Sequence, residues 1–288
     1  MDSNNPRAAR SATSQGTAII DPVASLFVSH GAPTLVLEER PARHFLASLG
    51  ATLPRPRALL LVTAHWETQE VALSSAAAPA TVHDFSGFGP VLEAMRYAAP
   101  GAAELACEVE QRLREAGFAA TCDAERGYDH GTWIPLACMY PDADVPVLQM
   151  SVCPARSPLH HWRLGRALAG LAAEGVLLIG SGALTHNLAD WRAQRGTPAA
   201  ESVPAYVDEF SAWVAARIAA HDVDALLAYH ERAPHAARAH PSPEHLLPLF
   251  VALGAAGVSW RGERLHHSHM YGVVAMDCYA FRSGAVTH

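Results

Sequence analysis

The feature that most constrains the fold is a short apolar segment that ends on a histidine, and the chain contains three versions of it. Residues 59–66 form a mostly apolar run that delivers His65 at its far end. A similar segment leads directly to His30, and a third is followed by a loop that carries His186. Short apolar runs of this kind predict buried strands of an α/β sheet. Three strand ends that each present an imidazole predict a metal site at one edge of that sheet.

The chain as a whole predicts one α/β domain with a central, mostly parallel or mixed sheet flanked by helices, and with the metal site at strand C-terminal ends. We expect strands at residues 26–28, 59–66, 71–74, 146–152, 176–180 and 271–281, and helices at 34–49, 102–117, 159–174, 203–220 and 243–254. Nothing in the 288 residues marks a linker between two cores, which indicates a single domain. Small and polar residues dominate residues 1–16. The segment 1–22 is therefore predicted to be a disordered N-terminal tail ahead of a folded domain at 23–288.

Charge and composition exclude several classes of function. The formal net charge of -7 argues against nucleic acid as a partner, because binding to a phosphate backbone needs a basic face. No apolar run approaches the roughly 18 residues of a membrane span, and the N-terminus lacks the apolar core of a signal peptide. The five cysteines are scattered and form no Cys-x-x-Cys pair, which is typical of a reduced, cytoplasmic protein.

Position relative to the predicted elements decides which of the 17 histidines are candidate site residues. His30 stands at a strand-to-helix corner, because the turn residues Gly31 and Pro33 follow it. His130 lies in an Asp-His-Gly turn ahead of an apolar segment, which could place it in a cleft. Both positions are typical of side chains that face a ligand at the edge of a sheet.

Two segments nearer the C-terminus supply further candidates. Ser242 is a good N-cap and Pro243 a good first residue for the helix predicted at 243–254. In the first turn of that helix, either Glu244 or His245 could point at the strand-end site. A short cluster that could bind a metal adventitiously follows: His266, His267 and His269.

The sequence motifs of serine hydrolases and of nucleotide-binding proteins are absent. No G-x-S-x-G elbow is present at the turn after residues 176–180, which disfavours a serine hydrolase. No G-x-G-x-x-G or Walker pattern is present either, so a nucleotide site is weakly supported.

Six sets of motifs together resemble the class III extradiol ring-cleavage dioxygenases, and most closely their DOPA 4,5-dioxygenase-like branch. The motifs are His30-Gly31-Ala32-Pro33, Thr63-Ala64-His65-Trp66, His83-Asp84-Phe85 with Gly87-Phe88, Asp129-His130-Gly131-Thr132-Trp133, Gly180-Ser181-Gly182 with His186-Asn187-Leu188, and Pro243-Glu244-His245 with Pro248-Leu249. Each is weak alone, but six in the same order are specific. The resemblance spans residues 26–281 and implies that the folded domain is catalytic.

The resemblance implies a role for each matching histidine. His30, His65 and His245 match the metal-binding positions of the family. His186 matches the acid/base histidine, which can also act as a fourth metal ligand. His130 matches a histidine that lines the substrate site.

The resemblance also implies the metal and the reaction partners. Fe(II) is expected for activity, with Zn(II) as a bound or substituting ion. Because many relatives use two histidines and one carboxylate, the third ligand is either Glu244 or His245. A three-imidazole face leaves positions for a catechol and for O2, and ring opening would give a semialdehyde. The expected partners are therefore a small aromatic diol and O2. Four aromatic residues are candidate walls of the substrate site: Trp66, Phe85, Phe88 and Trp133.

Two other functions fit the same residues. A zinc-dependent hydrolase would use the histidines to hold a metal-bound hydroxide as its nucleophile. A non-catalytic binding protein would resemble the Memo-like group, which shares the fold. The sequence leaves open which catechol is the substrate and which oligomeric state the protein adopts.

Overall fold

The computed structural model describes residues 23–194, 196 and 201–283, so the predicted N-terminal tail lies outside the described residues. The strands in this part of the chain are β1 Val23–Ser29, β2 Ala58–Glu67, β3 Val71–Ser74, β4 Ala120–Asp123, β5 Val147–Val152, β6 Val176–Gly182, β7 Trp260–His266, β8 His269–Met270, β9 Val274–Ala275 and β10 Cys278–Ser283. Its α-helices are α1 Pro41–Thr52, α2 Pro90–Ala94, α3 Ala103–Glu115, α4 His130–Met139, α5 Pro158–Ala167, α6 Leu188–Gln194, α7 Ala205–Ala219, α8 Val223–Leu227, α9 Tyr229–Arg232, α10 Ala236–Ala239 and α11 Leu247–Ala255. None of these helices is both long and apolar enough to cross a bilayer.

Eight strands form one mixed sheet in the order β4-β3-β5-β2-β6-β1-β10-β7. The central strands β5, β2, β6 and β1 run parallel to one another, and β10 and β7 extend the sheet in antiparallel fashion. The C-terminal ends of the central strands therefore lie at the same edge. The predicted fold, a single α/β domain with a mixed sheet between helices, is confirmed.

Both faces of the sheet are covered by helices, which explains why its central strands are apolar without alternation. In β2, Leu60 and Val62 pack into a core with α3, α5, α7 and α11. Leu59 and Leu61 pack on the other face with α1 and α4, and all four side chains are fully buried. Burial of one such side chain stabilises the fold by roughly 1.5–3 kcal/mol. The strand that delivers His65 is thus held from both sides.

Two glycines of β6 allow the segment around the start of α11 to approach the sheet closely. A Cβ at Gly182 would lie 2.0 Å from the carbonyl oxygen of His245, and one at Gly180 would lie 2.3 Å from that of Pro248. The Ala183 amide donates to the same His245 oxygen at 3.0 Å. The backbone of His245 is therefore fixed against the end of β6.

Two predicted helices are broken into shorter pieces. The helix predicted at 34–49 is a 3-10 turn at Pro33–Val36 followed by α1, which begins at Pro41. A proline disfavours helical geometry in the residue before it, and Arg40 is extended, with φ -116° and ψ 151°. The helix predicted at 159–174 is α5 followed by a separate 3-10 turn.

Near the C-terminus, the helix predicted at 243–254 begins only at Leu247. Ser242 does not cap it, because its hydroxyl donates to Glu244 Oε1 at 3.1 Å. The N-cap prediction was therefore wrong. The strand predicted at 271–281 is reduced to β9 and β10, since a tight turn between β8 and β9 occupies its first residues.

Candidate metal centre and active site

Three imidazoles from distant parts of the chain converge at the edge of the sheet. His30 follows β1, His65 lies near the end of β2, and His245 precedes α11. The Nε2 atom of His65 lies 3.0 Å from that of His30 and 3.2 Å from that of His245. The structure thus brings together the three residues that the resemblance matches to metal ligands. Their role as ligands stays a prediction.

Two of these rings are oriented by hydrogen-bond partners at Nδ1. The Ser181 hydroxyl donates to the Gly131 carbonyl, so its oxygen accepts a hydrogen bond from His30 Nδ1 at 3.0 Å. His245 Nδ1 donates to Glu244 Oε1 at 2.9 Å. Protonation at Nδ1 leaves the lone pair of each Nε2 free at the shared point. The donor set therefore fits a divalent metal held by imidazole nitrogens.

Electrostatics also prepare the three rings for a cation. Burial lowers the pKa of His30 well below its usual value, and the proximity of the other imidazoles lowers it further. The pKa of His245 is lowered in the same way. Burial is also the main reason why the pKa of His65 is low. The three imidazoles are therefore neutral near pH 7, which is the form that binds metal.

The same geometry separates the roles of Glu244 and His245. Glu244 Oε1 accepts hydrogen bonds from His245 Nδ1 and from the Ser242 hydroxyl. The opposite nitrogen of His245 faces the Nε2 atom of His65. Glu244 thus orients the imidazole from behind, as carboxylates commonly do at metal-binding histidines. Of the two alternatives, the geometry favours His245 as the third ligand.

His186 stacks on His245, with ring centroids 3.5 Å apart and planes 14° apart. Its Nδ1 lies 3.8 Å from Glu244 Oε1. Burial and, to a smaller extent, the nearby His130 lower the pKa of His186 to about 4. A neutral imidazole in this place can accept a proton, as an acid/base residue must.

His130 begins α4 and is joined to His65 through Asp84. The ring centroids of His130 and His65 are 3.8 Å apart. The Asp84 carboxylate lies 2.9 Å from His130 Nδ1 and 3.7 Å from His65 Nδ1. Although burial opposes its ionisation, hydrogen bonds and charge interactions with His130 hold the pKa of Asp84 at about 2. No role was predicted for Asp84 from the sequence, although it lies in the motif His83-Asp84-Phe85.

Buried hydrogen bonds hold the start of α4 against the end of β2. Asp129 is fully buried and caps α4 with its side chain. It also accepts from the Thr63 hydroxyl at 2.8 Å and from the Arg126 guanidinium at 2.6 Å. This network fixes His130 beside His65.

A cavity of about 600 Å³ opens onto the histidine cluster, a size typical of small-molecule sites. Four imidazoles line it: His65, His130, His186 and His245. The aromatic side chains in its wall are Phe85, Phe88, Trp191 and Tyr271. This lining suits a flat aromatic guest that carries polar groups.

Only two of the four predicted aromatic neighbours, Phe85 and Phe88, line this cavity. Trp66 is buried instead, with the Arg126 guanidinium 4.8 Å from its ring centroid. Trp133 is fully buried in the core and donates its indole N–H to a backbone carbonyl. The prediction for the two tryptophans was therefore wrong, because both belong to the packing that supports the site.

Two aromatic wall residues, Trp191 and Tyr271, were not predicted. Trp191 lies in α6, directly after the His186 loop, so an aromatic residue at this distance from a site histidine was a usable signal. Tyr271 carried no local signal, because it reaches the cavity from the turn between β8 and β9. Its hydroxyl donates to Glu38 Oε1 at 2.6 Å and lies 2.7 Å from the Thr34 hydroxyl.

Comparisons with known proteins identify the family of this chain. Residues 25–280 match the family model described as the catalytic LigB subunit of aromatic ring-opening dioxygenase. A 4,5-DOPA dioxygenase extradiol from Beta vulgaris is 38% identical over 264 residues, covering 90% of this chain and 96% of that protein. A protein of the same name from Escherichia coli K12 is 39% identical, covering 83% and 86%. The crystal structure of an uncharacterized Escherichia coli K12 protein has a TM-score of 0.72 at 31% identity, covering 89% of this chain and 98% of that chain.

The protein is accordingly an extradiol ring-cleavage dioxygenase. Its α/β domain gathers imidazoles at one edge of the sheet, next to an aromatic-lined cavity. The chain belongs to the LigB family, that is, to the class III extradiol enzymes. The predicted family and enzyme class are confirmed. Members of this family depend on a metal, and the cluster of histidines described above supplies a suitable donor set.

Proposed function

We propose that this protein cleaves a catechol-type ring beside its two hydroxyl-bearing carbons and adds both atoms of O2 to give a semialdehyde. One ring carbon–carbon bond breaks, and the two new oxygens end in a carboxylate and an aldehyde. The observation that carries the proposal is the convergence of the Nε2 atoms of His30, His65 and His245 beside the aromatic-lined cavity. Relatives named 4,5-DOPA dioxygenase extradiol make DOPA the first compound to test.

We infer Fe(II) as the metal for activity, held by His30, His65 and His245. When bound, Fe(II) would supply coordination positions for the diol and for O2, together with redox chemistry that Zn(II) lacks. The same imidazoles also suit Zn(II), which is therefore expected as a bound or substituting ion. Zinc occupancy in purified protein leaves the proposed reaction unchanged.

The remaining residues bind the diol and move its protons. His186, which is neutral near pH 7, would accept a proton from a catechol hydroxyl and return it to the product. His130 would hydrogen-bond the substrate, with Asp84 Oδ1 2.9 Å from its Nδ1. Aromatic walls that include Phe85 and Tyr271 would hold the ring flat and exclude water from it.

The direct test is oxygen uptake by anaerobically iron-reconstituted protein across a catechol panel headed by DOPA. We expect O2 consumption together with a yellow ring-fission product for at least one catechol. The proposal would be overturned if protein shown to hold one iron per chain gave neither signal with any catechol.

The same preparations address the alternative functions. A zinc hydrolase would turn over esters or amides in its Zn(II) form without O2, whereas we expect no such turnover. A Memo-like binding protein would give no oxygen uptake. Neither alternative gains support from the match to a dioxygenase family.

We further infer that residues 23–288 act as one catalytic domain without a nucleic-acid or membrane partner. The five cysteines are all unpaired, which agrees with a reduced, cytoplasmic setting. Expression of residues 23–288 alone tests the domain assignment. We expect full iron binding and turnover, and loss of either would contradict it.

A further inference from the structure

A second group of potential metal ligands lies outside the cavity. It consists of Asp208 in α7, His267 between β7 and β8, and His269 in β8. One ligand atom from each side chain lies within 4.8 Å of the others. His269 Nε2 is 2.8 Å from Asp208 Oδ1, and His267 Nε2 is 3.9 Å from the same oxygen. Ligands about 2.0–2.2 Å from zinc stand roughly 3.4 Å apart in a tetrahedron, so small side-chain adjustments suffice.

A buried carboxylate behind His267 gives this group an organisation that a chance surface cluster lacks. Asp277 is fully buried, and His267 Nδ1 lies 3.2 and 3.3 Å from its two carboxylate oxygens. The Ser211 hydroxyl and the Arg264 guanidinium also contact Asp277, so its position is fixed. Because Nδ1 donates inward, the Nε2 of His267 presents its lone pair toward Asp208. Buried carboxylates orient metal-binding histidines in this way.

We propose that Asp208, His267 and His269 form a second divalent-metal site, separate from the catalytic centre, for zinc or a similar borderline ion. Two imidazole nitrogens and one carboxylate oxygen are donors typical of zinc, with water completing the tetrahedron. The proposal does not depend on the reaction assigned to the cavity.

The location of this second site suggests a structural role. It joins α7 to the β8–β9 hairpin, whose turn carries Tyr271 into the cavity wall. Met270 in the same hairpin accepts a weak hydrogen bond from the Ala32 amide, close to His30. The loop that carries His186 is tied to the hairpin as well, because Thr185 bonds its backbone at two points. An ion held by α7 and β8 would therefore stabilise the hairpin on which one wall of the cavity depends.

The test is titration of metal-free, full-length protein with Zn²⁺, followed by calorimetry and by metal analysis after gel filtration. We expect two equivalents per chain for the wild type and one for the double variant His267→Gln/His269→Gln. The exposed Asp208→Asn should keep its fold and weaken the second equivalent at least tenfold. His266→Gln is the matched control, because His266 stacks on Phe45 and bonds Ser268 instead.

A reciprocal experiment separates the two sites. His30→Gln/His65→Gln should lose the equivalent in the cavity and retain the one held by Asp208, His267 and His269. The proposal is overturned if His30→Gln/His65→Gln binds no zinc, or if both the His267→Gln/His269→Gln variant and Asp208→Asn keep the wild-type stoichiometry. The first result would mean that the cluster forms ion pairs without a metal. The second would mean that any extra zinc is adventitious.

Discussion

The chain gathers histidines at two places, and the two groups are built in different ways. At the cavity, His30 and His245 are almost fully buried, and burial lowers the pKa of both. At the surface, a hydrogen bond to Asp277 is the main reason why the pKa of His267 is raised. The surroundings of the buried group thus lower the pKa of its imidazoles, whereas those of the surface group raise the pKa of His267.

This difference shows that spacing in the chain says little about which histidines are enclosed in a buried site. His267 and His269 are near neighbours in sequence, yet they are partly exposed. The cavity residues are far apart in sequence, yet the Nε2 atoms of His30 and His245 lie 3.0 and 3.2 Å from that of His65. Burial and a cavity distinguish the cavity group, whereas an Nδ1 partner is found in both groups. Each of these features can be perturbed.

The largest effect is expected from His65→Ala. His65 Nε2 lies close to the Nε2 atoms of both other proposed ligands, so its loss should lower iron affinity more than about 100-fold and abolish oxygen uptake. His269→Ala, in the surface group, should leave uptake near the wild-type level. Iron content and oxygen electrode traces of the two variants check this. Equal loss in both variants would contradict the separation of the two groups.

His186→Ala should lower turnover by roughly 10²–10⁴-fold, the usual range for loss of a general acid or base. Iron content should stay at the wild-type level, because His186 is assigned to proton transfer and not to ligation. Single-turnover product formation at matched iron loading gives the measurement.

His83→Gln is the control for His186→Ala, since His83 Nε2 donates to the Met95 carbonyl and lies outside the cluster. If His186→Ala loses iron in parallel with turnover, His186 is a fourth ligand, and its assignment as the acid/base residue is contradicted.

A smaller effect is expected from Glu244→Gln. The carboxylate accepts from His245 Nδ1, and loss of such a partner typically costs 10–100-fold in metal affinity. The matched variant Ser242→Ala removes only one neutral hydrogen bond to Glu244 and should change affinity far less. Competition with a metal chelator ranks the three proteins. If Glu244→Gln bound iron as tightly as wild type, a role for the negative charge of Glu244 in metal binding would be refuted.

The smallest effect concerns His161, a buried histidine outside both groups. Its Nε2 accepts from the Cys153 amide and its Nδ1 donates to the Ser157 carbonyl. Burial lowers the pKa of His161 to about 4. Because histidine in the unfolded chain titrates near 6.5, the unfolded state binds more protons between these values. Stability from this residue is therefore present above about pH 6.5 and is lost as pH falls toward 4.

His161→Gln should flatten this part of the stability curve. Between pH 6.5 and 5, the free energy of unfolding of metal-free wild type should fall by about 2 kcal/mol more than that of the variant. Urea unfolding at the two pH values measures the difference. Parallel curves would show that burial alone does not keep this imidazole neutral.

The sequence was sufficient where local pattern and tertiary environment agree. The apolar run that ends at His65 is a strand buried on both faces, and the turn after His30 does place its ring at the sheet edge. Glycines after residues 176–179 permit the close approach that positions His245. These features follow from strand composition and turn chemistry, which short stretches of sequence carry.

Other features depended on partners distant in the chain. The Ser-Pro pattern at Ser242 predicted a helix start, but the hydroxyl bonds Glu244 and the helix begins five residues later. Trp66 and Trp133 were expected in the cavity, which instead receives Tyr271 from a hairpin. No local pattern reports such contacts, because they exist only once the sheet and its helices are assembled.

The most direct test of the account is a crystal structure of iron-loaded protein with anomalous data collected on both sides of the iron edge. We expect an anomalous peak about 2 Å from the Nε2 atoms of His30, His65 and His245. A peak bound by the Glu244 carboxylate in place of His245, or none among these three imidazoles, would contradict it.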